Sequence, residues 1–122
     1  MTVPVGLQMH IVRNDFQKDF HGTLARIAEI GYDAVELGMS TQIAPEEAAR
    51  TLNANGLACY SALVPLPFGN DKNRVLDFAA EIGAEQIGLS YIKQEFFNKA
   101  GGVKQVAEIL NEAKEIAKAA GL

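Results

Sequence analysis

Glu36 is the residue of this sequence whose type and setting most directly demand chemistry. It stands in the run Ala34-Val35-Glu36-Leu37 among apolar neighbours. A carboxylate in such a run needs a partner, because an unpaired buried charge is costly. Substrate, metal or the guanidinium of Arg13 could be that partner; a structural ion pair or hydrogen bond is the competing reading. His10 offers an imidazole, a group that exchanges protons near neutral pH and suits acid–base work or substrate contact. Arg13 carries a planar fork that matches a phosphate, against the alternative of a salt bridge to Asp15 or a neighbouring loop. His10 and Glu36 are the only metal-ligand types grouped in this way, and two ligands fall short of the usual three or four. Ser61 and Ser90 have no adjacent His or Asp pattern, so neither reads as a nucleophile. His21 lies in a helical stretch and is expected on the surface. Gly101-Gly102 lacks phosphate-loop spacing.

These residues sit on or after short apolar runs. Gly6 to Ile11, Ala34 to Leu37, Ala58 to Val64 and Gln86 to Ser90 are too short for buried helices and read as strands buried on both faces. Helical stretches lie between them. The first spans about Lys18 to Ile30, with Leu24, Ile27 and Ala28 inward. The second opens at Pro45, followed by Glu46 and Glu47 at the positive end of the helix dipole. The third starts near Asn70 or Asp71, both suited to capping, and runs through Val75, Leu76, Ala79 and Ile82. The fourth, Gly102 to Ala120, places Val103, Val106, Ala107, Leu110, Ala113 and Ala117 on one side and charged residues on the other. Gly31, Gly56, Gly83 and Gly121 come after the helices, where glycine accepts the left-handed conformation that ends a helix. Alternating strands and helices imply parallel strands with right-handed crossovers: four βα units in a single domain, 1–122. Chemistry in such units sits at the C-terminal ends of the strands. That rule selects His10 and Arg13, Glu36, Ser61 with the Pro65-Leu66-Pro67-Phe68 loop, and Ser90, Tyr91 and Lys93.

Composition removes several classes of function. The chain has 122 residues, 48% of them hydrophobic, and a formal net charge of -4. It lacks the clustered Lys and Arg that displace counterions from nucleic acid or anionic lipid. The single cysteine, Cys59, allows no internal disulfide, reads as a small core residue, and fits a reducing, cytoplasmic compartment. Met1-Thr2-Val3-Pro4-Val5 has no charged segment before an apolar run, so no signal peptide is expected. No apolar stretch approaches the ~20 residues of a membrane span.

The chain also repeats itself. Ala28-Glu29-Ile30-Gly31 returns as Ala80-Glu81-Ile82-Gly83, each copy ahead of a strand, while Gly-Leu opens the first strand (Gly6-Leu7) and the third (Gly56-Leu57). Gly-Leu appears once more as Gly121-Leu122, so a doubled βα unit is used twice and a fifth strand is expected next.

Several stretches resemble the opening of sugar phosphate isomerases/epimerases, among the xylose isomerase-like barrels. They are Gly6-Leu7-Gln8-Met9-His10-Ile11-Val12-Arg13-Asn14-Asp15, Gly22-Thr23-Leu24, Ile27 to Leu37, Asn55-Gly56-Leu57, Ala79 to Ala84, and Leu110 to Leu122. The resemblance runs along essentially the whole chain, carried by order and spacing rather than one diagnostic motif. It implies the N-terminal half of a (β/α)8 TIM barrel. It also implies a divalent metal, held by Glu, Asp, His and Glu on later strands, that helps move protons between adjacent carbons of a keto sugar or sugar phosphate. Some relatives have a His ending the third strand; the matching residue here is Leu63. The chain is therefore expected to be inactive alone, with Glu36, His10 and Arg13 contacting substrate and no metal held by its own residues. An isolated half-barrel has two open edges, so completion by a homodimer is expected, or flattening into a flavodoxin-like layer. The alternatives are a self-assembling scaffold or small-ligand binder, and an enzyme built from two copies of His10 and Glu36.

Overall fold

A computed structural model describes residues 3–39, 42–89 and 91–122. The elements run β1 (Gly6–Gln8), α1 (Arg13–Lys18), α2 (Phe20–Ile30), β2 (Ala34–Gly38), α3 (Pro45–Ala54), β3 (Ala58–Val64), α4 (Asp71–Glu81), β4 (Gln86–Leu89), a 3-10 turn (Gln94–Phe96) and α5 (Gly102–Ala119). The strands form one parallel sheet in the order β1-β2-β3-β4. Sequential order with crossovers of one hand sets the helices on one face of the sheet. A flavodoxin-like layer would need a strand order that reverses, so the architecture is half of a TIM barrel.

The main core lies between sheet and helices. Val35, Leu37, Cys59, Ala62 and Val64 point from β2 and β3 toward Leu24 and Ile27 of α2, Leu52 of α3, and Val75, Phe78 and Ala79 of α4, all buried. Pro45 opens α3 at its first turn, with Glu46 and Glu47 behind it. The repeated Ala-Glu-Ile-Gly segments end their helices with matching hydrogen bonds. Gly31 N–H donates to Ala28 and Tyr32 N–H to Ile27; Gly83 N–H donates to Ala80 and Ala84 N–H to Ala79. Both glycines have positive φ, the left-handed conformation a side chain disfavours.

Three expectations change in detail. β1 ends at Gln8 rather than Ile11, because Ile11, Val12 and Arg13 N–H groups turn back onto the carbonyls of Gln8, Met9 and His10. The helix expected over about Lys18 to Ile30 is α2, starting at Phe20, and a further short helix, α1, precedes it. Asp19 is extended and its carboxylate accepts from Gly22 N–H at 2.9 Å, ending α1 and capping α2. On α5 the buried residues are Gly102, Val106, Ala113 and Ala117, whereas Val103 and Leu110 are exposed. Ile109 and Ile116 lie half-buried, so the inward stripe is rotated from the expected one. Its apolar arc is broad, so the helical period allows either side; at the start of the helix Gly102 sits against the 3-10 turn, where a Cβ would collide with the Phe96 carbonyl oxygen.

Candidate site on the inner sheet face

The face of the sheet away from the helices carries a polar row. The strand register places Gln8 beside Glu36, Glu36 beside Ser61, and Ser61 beside Gln86, one residue from each strand at the same level. Side chains alternate between faces along a strand. The row is therefore the counterpart of the apolar residues Leu7, Val35, Ala62 and Ile87, which pack against the helical side. Around the row the inner face is small: Gly6, Ala34, Gly38 and Gly88 flank it along the strands. A β-bulge between Val35 and Glu36 in the β2–β3 register leaves Tyr60 as the extra residue of β3, and its ring is partly exposed.

Glu36 is half-buried and finds its partner inside the row. Gln8 Nε2 donates to Glu36 Oε1 at 2.6 Å. Arg13 is not that partner. Its Nη1 donates to the His10 carbonyl at 3.2 Å, and the side chain is exposed. Arg13 and His10 are thus joined to each other, through a backbone carbonyl, in the turn after β1. Neither hydrogen-bonds to Glu36 among the described residues. His10 is exposed. Both stand at the C-terminal end of β1, where the barrel rule puts them.

The other candidates separate cleanly. Ser61 is buried in the row. Leu63 lies on the inner face opposite Gly88, whose position leaves room for its side chain. Pro67 is fully buried, so the Pro65–Phe68 loop is a structural lead into α4. Tyr91 and Lys93 are exposed, Lys93 Nζ lying 4.0 Å from Glu95; Ser90 lies outside the described residues. Cys59 is in the core, its Sγ donating to the Ser61 carbonyl at 3.4 Å, and burial pushes its thiol pKa up, with Glu36 adding to the rise and hydrogen bonds to Leu37 and Ser61 opposing it. His21 is on the surface but engaged. Its Nε2 is 3.0 Å from Glu47 Oε1, and its Nδ1 is 3.0 Å from Thr51 Oγ1.

Among the described residues no three His, Cys, Asp or Glu side chains come together to hold a metal ion. No helix among them is long and apolar enough to cross a membrane. Gln8 and Gln86 were not among the residues singled out from sequence. The signal was there: each is a polar side chain in an apolar run, as Glu36 is.

The fold is similar to that of known structures. A sugar phosphate isomerase/epimerase from Parabacteroides distasonis superposes with a TM-score of 0.68 at 26% identity, over 98% of this chain and 49% of that one. A second sugar phosphate isomerase/epimerase structure from the same organism gives a TM-score of 0.70 at 16% identity, over 98% of this chain and 52% of that one. The chain thus spans about half the length of these relatives and has the architecture of an N-terminal half of their barrel. No protein-family model matches the sequence, and no curated protein sequence does.

Proposed function

We propose that this chain supplies the sugar-binding N-terminal half of a sugar phosphate isomerase/epimerase barrel and binds without turnover on its own. The observation that carries this reading is the row Gln8–Glu36–Ser61–Gln86, which lines the helix-free sheet face with acceptors and donors suited to sugar hydroxyls. Glu36 is its one ionisable member, oriented by Gln8. Arg13 and His10, above the row in the turn after β1, are the proposed contacts to phosphate and sugar. Moving a proton between neighbouring carbons takes, besides a base, a group that polarises the carbonyl and stabilises the enediolate, and Glu36 is the one ionisable group of the row. The resemblance implies that the remaining chemistry comes from later strands of a whole barrel.

Titration with a panel of ketose phosphates, monitored by backbone NMR, tests this. Resonances of Gln8, Glu36 and Ser61 are expected to move, and Glu36→Gln is expected to weaken binding by about tenfold or more, the worth of a hydrogen bond to a charged group. No isomerised product is expected by 1H NMR. Ketose phosphates that bind no better than inorganic phosphate, or that perturb only residues away from the row, would sink the proposal. The open edges of the sheet favour a second reading, a self-assembling half-barrel that binds small ligands without catalysis.

A further inference from the structure

Gly38, Leu63 and Gly88 stand side by side on β2, β3 and β4, one layer above the row on the helix-free face. The two glycines leave Leu63 as the one side chain of that layer on these strands. It does not stand upright between them. Its Cδ2 lies 3.1 Å from where a Cβ on Gly88 would be, whereas a Cβ on Gly38 would have nothing within 4 Å among the described residues. Leu63 therefore leans over β4 and leaves the space above Gly38 open. Along β2 the face is closed below Glu36, where Ala34 is 1% exposed, and open above it, where Gly38 is exposed. A ligand of Glu36 has its room over Gly38.

Two unlike neighbours border that room. On the β1 side is the turn that carries His10 and Arg13, which begins where Met9 N–H meets the Glu36 carbonyl. On the β3 side is Leu63, half-buried. Ser61, beneath Leu63, offers little at that end. It is buried, and its Oγ lies toward β4, 3.8 Å from the Cβ position of Gly88. From the β1 turn to Leu63 is two inter-strand spacings, about 10 Å, the order of length of an extended five-carbon sugar phosphate.

We propose that Gly38 and Leu63 set the specificity of this face: a sugar phosphate lies across the strands with its phosphate at Arg13, its middle carbons over Gly38 and its far end against Leu63. The inference deepens the sugar-binding reading and rests on it. Gln8 and Glu36, below, meet the hydroxyls in the middle of the chain. At the far end the wall is apolar. Leu63 gains by covering a methyl group but gives a hydroxyl no hydrogen bond, and burying a hydroxyl unpaired is costly. The face is thereby fitted to a ketose phosphate that ends in a methyl group, a 1-deoxyketose phosphate, over one that ends in a hydroxymethyl group.

Calorimetric titration with 1-deoxy-D-xylulose 5-phosphate and with D-xylulose 5-phosphate, which differ by one hydroxyl, tests this. Wild type is expected to bind the deoxy sugar about tenfold tighter, the order of effect of one unpaired hydroxyl. Leu63→Ser puts a hydroxyl at the wall and should bring the two affinities within about twofold of each other. Gly38→Val should weaken both by about tenfold or more. Its urea midpoint should not fall, because the position is open and its backbone is not left-handed. Gly6→Ala, on the same face but below the row and level with Ala34, should bind as wild type does.

Equal wild-type affinities for the two sugars, or a preference that Leu63→Ser leaves unchanged, overturn the role of Leu63. Binding that survives Gly38→Val, or that Gly6→Ala weakens as much, overturns the placement over Gly38. Each of these results leaves the sugar-binding reading standing. Two sugars that bind wild type no better than inorganic phosphate overturn that reading and this inference together.

Discussion

Gln8 and Glu36 face each other across the β1–β2 register, and the 2.6 Å bond from Gln8 Nε2 to Glu36 Oε1 ties the two strands on the side opposite the core. β1 has only three residues, so a side-chain bond adds appreciably to its backbone pairing. Gln8→Ala leaves a half-buried carboxylate without its donor and is expected to cost about 1–2 kcal/mol, toward the low end because both groups touch water. Glu36→Gln can keep a hydrogen bond to Gln8 and should cost less than Glu36→Ala. Urea unfolding of the single and double variants checks this; additive losses from Gln8→Ala and Glu36→Ala would show that the bond contributes nothing.

His21, Glu47 and Thr51 tie α2 to α3 in the same manner on the outer surface. Thr51 has one hydroxyl proton and gives it to the Glu47 carbonyl at 2.9 Å, so its oxygen accepts from the His21 ring at 3.0 Å while the other ring nitrogen meets Glu47 Oε1. The side chains of His21 and Glu47 are 59% and 40% exposed. Water screens such a pair, and the expected coupling in a His21→Ala, Glu47→Ala double-mutant cycle is only about 0.5 kcal/mol, shrinking as salt is raised. A coupling that did not respond to salt would assign the tie to packing.

The βα order, the four strands, the glycine at the end of α2 and the carboxylate of Glu36 on a sheet face were legible in the sequence, because each rests on local composition or short-range spacing. Features that depend on register were not. Whether Glu36 meets Gln8 or Arg13 is decided by which residues pair across strands, and a one-residue slip would send Gln8 to the other face. The inward side of α5 was hidden for a different reason. Val103 and Leu110 fit the helical period as well as Ile109 and Ile116 do, so periodicity alone does not tell which pair is covered; in the structure Val103 and Leu110 are exposed and Ile109 and Ile116 half-buried.

Gly102 is buried at the first turn of α5, where a methyl group would overlap the Phe96 carbonyl oxygen. The obstacle is backbone, which cannot swing aside as a flexible side chain would. Gly102→Ala should therefore destabilise by about 1–3 kcal/mol, the usual range for overpacking, even though alanine is the better helix former by about 1 kcal/mol. Thermal unfolding that shows Gly102→Ala more stable than wild type would refute the packing of the turn against α5.

Cys59 connects the core to the pH dependence of stability. Burial, chiefly, holds its thiol pKa above the ordinary value. The folded chain therefore keeps a proton that the unfolded chain loses once pH passes the free-thiol value of about 8.5. Native protein binding more protons than unfolded protein means stability falls as pH rises. The thiol's contribution is intact below that pH and declines from there up through the higher folded-state value. Cys59→Ala removes the titrating group and should flatten this alkaline decline, at the expense of about 1 kcal/mol at neutral pH for a lost buried sulfur. The same burial predicts that a thiol reagent such as Ellman's reagent reacts slowly with native protein at neutral pH and promptly in denaturant. Rapid reaction with native protein would place the sulfur at the surface and remove the physical basis for both expectations.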